Sequence, residues 1–163
     1  MNYLVVTATP DSSGKIVAEK ISPQTRSRMM AGIRAKDTQP ELLVRSFLHA
    51  RGFRFRLHRR DLAGRPDLVL PRHQAVVFVH GCFWHGHAGC PYFRIPKTRT
   101  KFWEDKIASN SQRDALATRV LHQQGWRVAI VWECALKERP ELTLRDVAAF
   151  LSSDREHFET GVR

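Results

Sequence analysis

The sequence contains no apolar run approaching the roughly 20 residues needed to cross a bilayer. Leu4-Val5-Val6 lacks both the length and the basic flank of a secretion signal. A cytoplasmic protein with no membrane partner is therefore expected. Cysteine is scarce, with 3 in 163 residues, and an odd number cannot close into intramolecular disulfides alone. A disulfide-stapled mini-scaffold is excluded on that ground. Neither an internal repeat nor a low-complexity tract is found, which argues against a solenoid and against wholesale disorder. Acidic side chains are also few. Only 16 Asp and Glu stand against 27 Lys and Arg, for a formal net charge of +11 and a pI near 10.4. What remains is a chain with 42% hydrophobic residues. One domain of that size can bury roughly 70% of its unfolded surface.

The positive charge is unevenly spread. Residues 1–103 carry 18 basic and 6 acidic side chains, whereas residues 104–163 carry 9 and 10. A field of one sign over most of a domain favours a polyanionic partner, and nucleic acid is the first expectation. Arg51, Arg54, Arg56, Arg59 and Arg60 concentrate that field in one short run.

Residues 1–22 contain Pro10, Ser12, Ser13 and Gly14, which break any periodicity, and are expected to form a flexible extension. Residues 23–37 are a basic segment, 38–152 the main domain and 153–163 a C-terminal tail. Thr38 as a cap, with Pro40 and Glu41 in the first turn, predicts a helix that turns Leu43, Val44, Phe47 and Leu48 inward and stops at Gly52. Phe53, Phe55 and Leu57 alternate with Arg54, Arg56 and His58, the period of a strand with one buried and one basic face. Residues 67–70 and 75–80 predict a hairpin of buried strands, and 81–100 an irregular loop. A long helix follows over 100–124 with Trp103, Ile107, Leu116, Val120 and Leu121 inward, then a buried strand over 126–134 and a closing helix over 143–151. This order predicts an α/β fold, a mixed central sheet flanked by helices.

Four groups of residues carry chemistry. Cys82, His87, Cys90 and Cys134 offer the donors of a closed, structural tetrahedral zinc site, with His85 an equally well spaced alternative to His87. Asp67, in Gly64-Arg65-Pro66-Asp67, opens a buried strand, where a carboxylate needs a positive partner. In many metal-dependent nucleases such an Asp binds magnesium together with Glu-x-Lys on the next strand. Here that strand offers Phe78-Val79-His80, so the standard partner is absent, and His80, His85 and Asp114 are the groups that can supply acid-base chemistry instead. Phe83, Trp84 and Trp103 add aromatic rings to a basic surface, a combination able to insert between base pairs.

The blocks V-V-F-V-H-G-C-F-W-H-G-H, T-R-T-K-F-W-E-D-K-I, G-W-R-V-A-I-V-W-E-C-A-L, G-R-P-D and T-R-S-R-M-M-A-G-I closely resemble the very-short-patch repair (Vsr) endonucleases over roughly residues 24–138. The resemblance implies a restriction-endonuclease-like fold and a magnesium-dependent enzyme. Its substrate would be double-stranded DNA with a T:G mismatch left by 5-methylcytosine deamination, nicked on the thymine strand. It implies Asp67 and the Val79 backbone as magnesium ligands, His85 as general base, Asp114 as its orienting partner, His80 at the scissile phosphate and Glu41 at the water shell of the metal. It selects Cys82, His87, Cys90 and Cys134 for zinc. Phe83, Trp84 and Trp103 match the aromatic wedge, and Met30 with Arg26 and Arg28 the N-terminal arm on the other groove. A monomer is implied, linked functionally to a cytosine-5 DNA methyltransferase and a repair polymerase, and associated with the nucleoid of a prokaryote. Two departures stand out: Val79 replaces the usual Thr, and the metal loop is one residue longer between His87 and Cys90. Competing expectations are a nickase or restriction-type nuclease of the same fold with another substrate, and a zinc-stabilised DNA-binding module without catalysis.

Overall fold

The computed structural model of the chain describes residues 9–10, 16–17, 22, 25 and 36–161. Two compact units result, Met1–Asp37 and Thr38–Arg163. In the first, β1 (Thr9–Pro10) pairs antiparallel with β2 (Ile16–Val17), so the extension expected to lack fixed structure contains a two-strand ladder. β-branched Thr9, Ile16 and Val17 favour extended backbone. Met30, Arg26 and Arg28 lie outside the described residues.

The second unit is a mixed α/β layer structure. Its elements are α1 (Gln39–Ala50), β3 (Arg56–Leu57), β4 (Leu68–Leu70), β5 (Ala75–His80), α2 (Thr100–Gln123), β6 (Arg127–Trp132), α3 (Glu133–Glu138), α4 (Pro140–Leu151) and β7 (His157–Glu159). The five strands lie in the order β3-β4-β5-β6-β7, antiparallel from β3 to β5 and parallel from β5 to β7. Alternate residues of the buried strands face opposite layers. Leu68, Leu70, Ala75, Val77, Ala129 and Val131 pack with Val44 and Leu48 of α1 and Val147 and Phe150 of α4. Val69, Val76, Phe78 and Val128 pack with Leu121 of α2. Among the described residues no helix is long and apolar enough to cross a membrane.

Local signals explain most boundaries. The Thr38 hydroxyl accepts from the Glu41 amide and donates to the Glu41 carboxylate at 2.9 Å, which caps α1. Trp126 N–H donates to the Leu121 carbonyl at 2.9 Å, closing α2 in a Schellman-type turn.

Several expectations are corrected. The strand over 53–58 shrinks to Arg56–Leu57, both exposed; the ladder with β4 begins at Arg56 opposite Val69, and His58 at φ 46° turns the chain out of it after Leu57. Phe53 and Phe55 still pack against the α1 side of the core. Leu43, expected inward, is exposed, and the buried stripe of α1 is Glu41, Val44, Arg45 and Leu48. On α2, Leu116 is 58% exposed and its place is taken by buried Ala117. Gly64 packs directly on it, since a Cβ on Gly64 would come within 2.7 Å of the Ala117 Cβ. Strand β6 ends at Trp132, whose N–H turns to the Thr160 hydroxyl at 2.8 Å, so Cys134 sits in the first turn of α3. The closing helix begins three residues earlier than expected, at Pro140. The tail after residue 152 supplies β7, which extends the sheet beside β6.

Arg127 ties these layers together. Its guanidinium donates to the carbonyls of His73, Phe150, Leu151 and Ser153, joining the β4–β5 connection to the C-terminal end of α4, where unpaired carbonyls and the helix dipole favour a cation. Replacing Arg127 by Met keeps the aliphatic stem and removes this donor from all four carbonyls, of which Phe150 retains Ser153 and Leu151 retains the His73 ring as partners. A loss of about 3 kcal/mol is expected in urea unfolding, with the slope of the transition unchanged.

Candidate active site and metal centre

Strand β4 runs antiparallel to β5, so Asp67 at the start of one meets the end of the other. The Asp67 carboxylate accepts from the Val79 N–H at 2.7 Å through Oδ2, leaving Oδ1 for another donor. Burial pushes the Asp67 carboxyl up to about 6; the Val79 bond opposes the shift, the Glu41 charge adds to it, and Arg45 and His85 reduce it. A half-buried hard oxygen ligand whose charge is disfavoured is suited to a magnesium-type cation. The Val79 carbonyl leaves β5 on the same side as its N–H, as strand geometry requires. Glu41 is buried, and its two carboxylate oxygens accept from the Thr38 hydroxyl at 2.9 Å and from Arg45 at 2.6 Å. These two bonds tie Glu41 to the first turns of α1, and its charge is felt at Asp67.

The loop after β5 brings three sequence-predicted groups together. His85 Nδ1 lies 2.6 Å from Asp114 Oδ2, and the ring donor atoms of His80 and His85 cluster with that carboxylate within 4.8 Å. The His80 and His85 rings stack at 3.8 Å with 5° between their planes. Burial drives His80 down to about 3, assisted by His85 and opposed by Asp114, which keeps it neutral at physiological pH. Burial works to raise Asp114, yet the hydrogen bond and charge of His85 outweigh it, and the carboxyl lies below its ordinary value. With Nδ1 committed to Asp114, Nε2 of His85 is the atom available to take a proton.

Gly86 separates the two histidines the sequence left interchangeable. At φ 65°, and with a Cβ there approaching Ile107 Cγ2 to 2.7 Å, only glycine fits. The turn sends His85 to Asp114 and His87 to the cysteines. His87 Nδ1 is 3.6 Å from Cys82 Sγ and 3.4 Å from Cys134 Sγ, and the donor atoms of Cys82, His87, Cys90 and Cys134 all lie within 4.8 Å of one another. Tetrahedral bonds of about 2.3 Å to sulfur and 2.05 Å to nitrogen would separate S and N by about 3.6 Å, so donor set and spacing fit zinc. The longer loop thus does not spoil the arrangement. Burial and the neighbouring thiols push Cys134 up, and burial likewise raises Cys82, so a cation is what would favour the thiolates.

Phe83, Trp84 and Trp103 form one partly buried aromatic group, with ring centroids 5.2, 5.3 and 6.0 Å apart. Asn110 holds it, donating to the Trp84 carbonyl at 2.8 Å. Beside this group a cleft of about 580 Å³ is lined by Arg60, Arg65, Arg113, Asn110, His85 and Asp114. Sequence reasoning missed Asn110, Trp132 and Arg113, and it met Arg60 only as part of a basic run and Arg65 only within Gly64-Arg65-Pro66-Asp67. Asn110 had a legible signal: Trp103, Ile107, Asn110, Asp114, Ala117 and Leu121 recur at helical spacing, and two polar residues interrupt that stripe. Trp132 stacks on His87 at 4.0 Å, meets His80 edge-on at 5.3 Å and donates Nε1–H to Glu159 at 2.6 Å.

Cys134→Ala is expected to lower both the bound metal measured by elemental analysis and the melting temperature; unchanged metal content would refute the ligand set. Asp67 gives a second expectation. Folding raises its pKa from 3.8 to about 6, so the folded chain binds the proton more tightly and Asp67 subtracts stability as pH rises from about 4 to above 6. In magnesium-free buffer at pH 7.5, Asp67→Asn should therefore stabilise the protein by about 1–3 kcal/mol in urea unfolding, with no gain at pH 4.

The profile of the family described as DNA mismatch endonuclease Vsr matches residues 18–91. Over 129 residues the chain is 48% identical to the type II nicking enzyme V.XorIIP of Xanthomonas oryzae pv. oryzae, covering 79% of this chain and 94% of that one. It is 47% identical to the DNA mismatch endonuclease Vsr of Escherichia coli over 119 residues, 73% of this chain and 76% of the other. The type II nicking enzyme V.NmeAIP of Neisseria meningitidis is 46% identical over 114 residues, 70% and 81% of the two chains. A histidine held by a carboxylate, a half-buried aspartate and a basic cleft are thus met in a sequence of this lineage, and the chain belongs to the Vsr family of DNA mismatch endonucleases.

Proposed function

We propose that this endonuclease nicks the thymine-containing strand at T:G mismatches left by 5-methylcytosine deamination, and so initiates very-short-patch repair. The observation that carries the reading is the His85–Asp114 contact of 2.6 Å, with His85 close enough for its charge to act on the Asp67 carboxylate. His85 Nε2 takes a proton from a water in line with the scissile P–O3′ bond, while Asp114 stays ionised and stabilises the imidazolium that forms. The water oxygen bonds to phosphorus, the bond to O3′ breaks, and the products are a 5′ phosphate and a 3′ hydroxyl. Neutral His80, stacked on His85, offers a ring N–H to a phosphate oxygen without placing a second positive charge beside the protonated base. Asp67 and the Val79 carbonyl would hold Mg2+, which supplies electrostatic stabilisation of charge on the phosphate and the departing oxygen. Zn2+ on Cys82, His87, Cys90 and Cys134 would be structural, with no open ligand position.

Phe83, Trp84 and Trp103 act as the wedge. A mismatched step costs less to unstack than a paired one, so a wedge discriminates through the deformation it must impose. The basic segment with Arg26, Arg28 and Met30 would add further DNA contacts. The mixed sheet and flanking helices accord with a restriction-endonuclease-like architecture. The enzyme works as a monomer in the cytoplasm, on nucleoid DNA, between the action of a cytosine-5 methyltransferase and a repair polymerase.

The decisive measurement is magnesium-dependent nicking of T:G and fully paired duplexes of the same sequence. Strong preference for T:G is expected, with His85→Ala losing at least about 100-fold in single-turnover rate while still binding DNA. Equal cleavage of both duplexes would sink the mismatch reading and favour a nickase with another substrate.

A further inference from the structure

Beside the base, the cleft sets the three guanidiniums of Arg60, Arg65 and Arg113 against one carboxylate, Asp114. Among the described residues, Arg59 is paired with Asp61, but neither Arg60 nor Arg65 has an ion-pair partner. The cleft is thus a concave, net positive surface that opens beside the group read as base.

The backbone that presents Arg65 is held in an unusual state. Gly64 lies at φ 71° and Arg65 at φ 52°, two successive left-handed residues directly before Pro66. A side chain at such a φ is strained, and the residue before proline favours an extended conformation, so Arg65 departs from both preferences. Packing imposes the turn: Gly64 sits against Ala117 and Phe78, and Arg65 N–H donates to the Leu62 carbonyl at 3.2 Å. Glycine would satisfy position 65 with less strain. Pro66 is buried and Asp67 follows it at once, so the same short rigid piece of chain carries both the guanidinium and the metal-seeking carboxylate.

Resting on the reading of His85 as base, we propose that this cleft seats the DNA phosphodiester at the cut, with Arg65 gripping non-bridging oxygens of the scissile phosphate and Arg60 and Arg113 neutralising its neighbours. The planar fork of arginine matches two phosphate oxygens, and a pre-oriented guanidinium stabilises charge that builds on them as water attacks.

The test uses the full-length protein with Arg65→Gly, Arg65→Gln and Arg65→Lys. For each, the melting temperature, the affinity for matched and T:G duplexes between 50 and 300 mM salt without magnesium, and the single-turnover nicking rate with magnesium are measured. Arg65→Gly is expected to melt no lower than wild type, to lose about 100-fold in nicking and to flatten the log–log salt dependence of binding by about 1 on both duplexes. Arg65→Gln should show the same losses, and Arg65→Lys should recover part of the rate and the slope. Wild-type slope and rate in Arg65→Gly would overturn the proposal. So would a lower melting temperature shared by all three variants without a change of slope, because that marks a structural arginine. If wild type shows no T:G preference, the substrate reading fails, yet the slope on matched duplex still reports whether Arg65 holds a phosphate.

Discussion

The parallel pairing of β5 with β6 is the constraint on which the rest of the unit depends. Its register runs from Ala75 against Arg127 to His80 against Trp132, so both strands end at the same edge of the sheet. A parallel pair needs a long crossover, and here the crossover contains the metal loop and α2. Every group with chemistry is therefore delivered to one edge. His80 and Trp132 come from the strand ends, His85 and the aromatic rings from the loop, Asp114 from α2, and Cys134 from the turn after β6. Asp67 joins them because β4 runs antiparallel to β5.

Trp132 couples the two centres that this edge assembles. One face of its indole stacks on His87, its edge meets His80, and its N–H is fixed by Glu159 on β7. The Cys/His loop, the end of β5 and the last strand of the sheet are consequently parts of one packed group. The loop itself has few apolar contacts of its own and no regular secondary structure from Gly81 onward, so a cross-link through four side chains is what would hold Phe83 and Trp84 against Trp103.

The site also carries a cost that the fold absorbs. Asp67 is half-buried where its charge is disfavoured, His80 is held neutral by burial, and Arg65 occupies a left-handed backbone state. Each departs from what stability alone would select, and the three lie along one edge, a pattern expected where binding or catalysis sets the requirement. Two saturated apolar layers on the sheet, together with the Arg127 clamp, offset these costs elsewhere.

Periodicity and capping made much of this architecture legible in advance. The helix after Thr38, the two Val-rich strands, the long helix ending before Gly125 and the closing helix follow from residue types acting over a few positions, where local physics dominates. The Cys and His donors, Asp67 and the aromatic rings were legible as residue types, and family resemblance assigned them roles. Position in space was not, because it depends on contacts between residues far apart in the chain. Whether His85 or His87 faced the thiols was settled by the turn at Gly86 against Ile107. The inward position at 117 rather than 116 was settled by the close approach of Gly64, and the strand in the tail by an open edge of β6. Charge, donor types and the order of elements are written in short windows of the chain; which of those donors meet follows from the register of β5 on β6 and the packing of α2, since neither is encoded by any local window of residues.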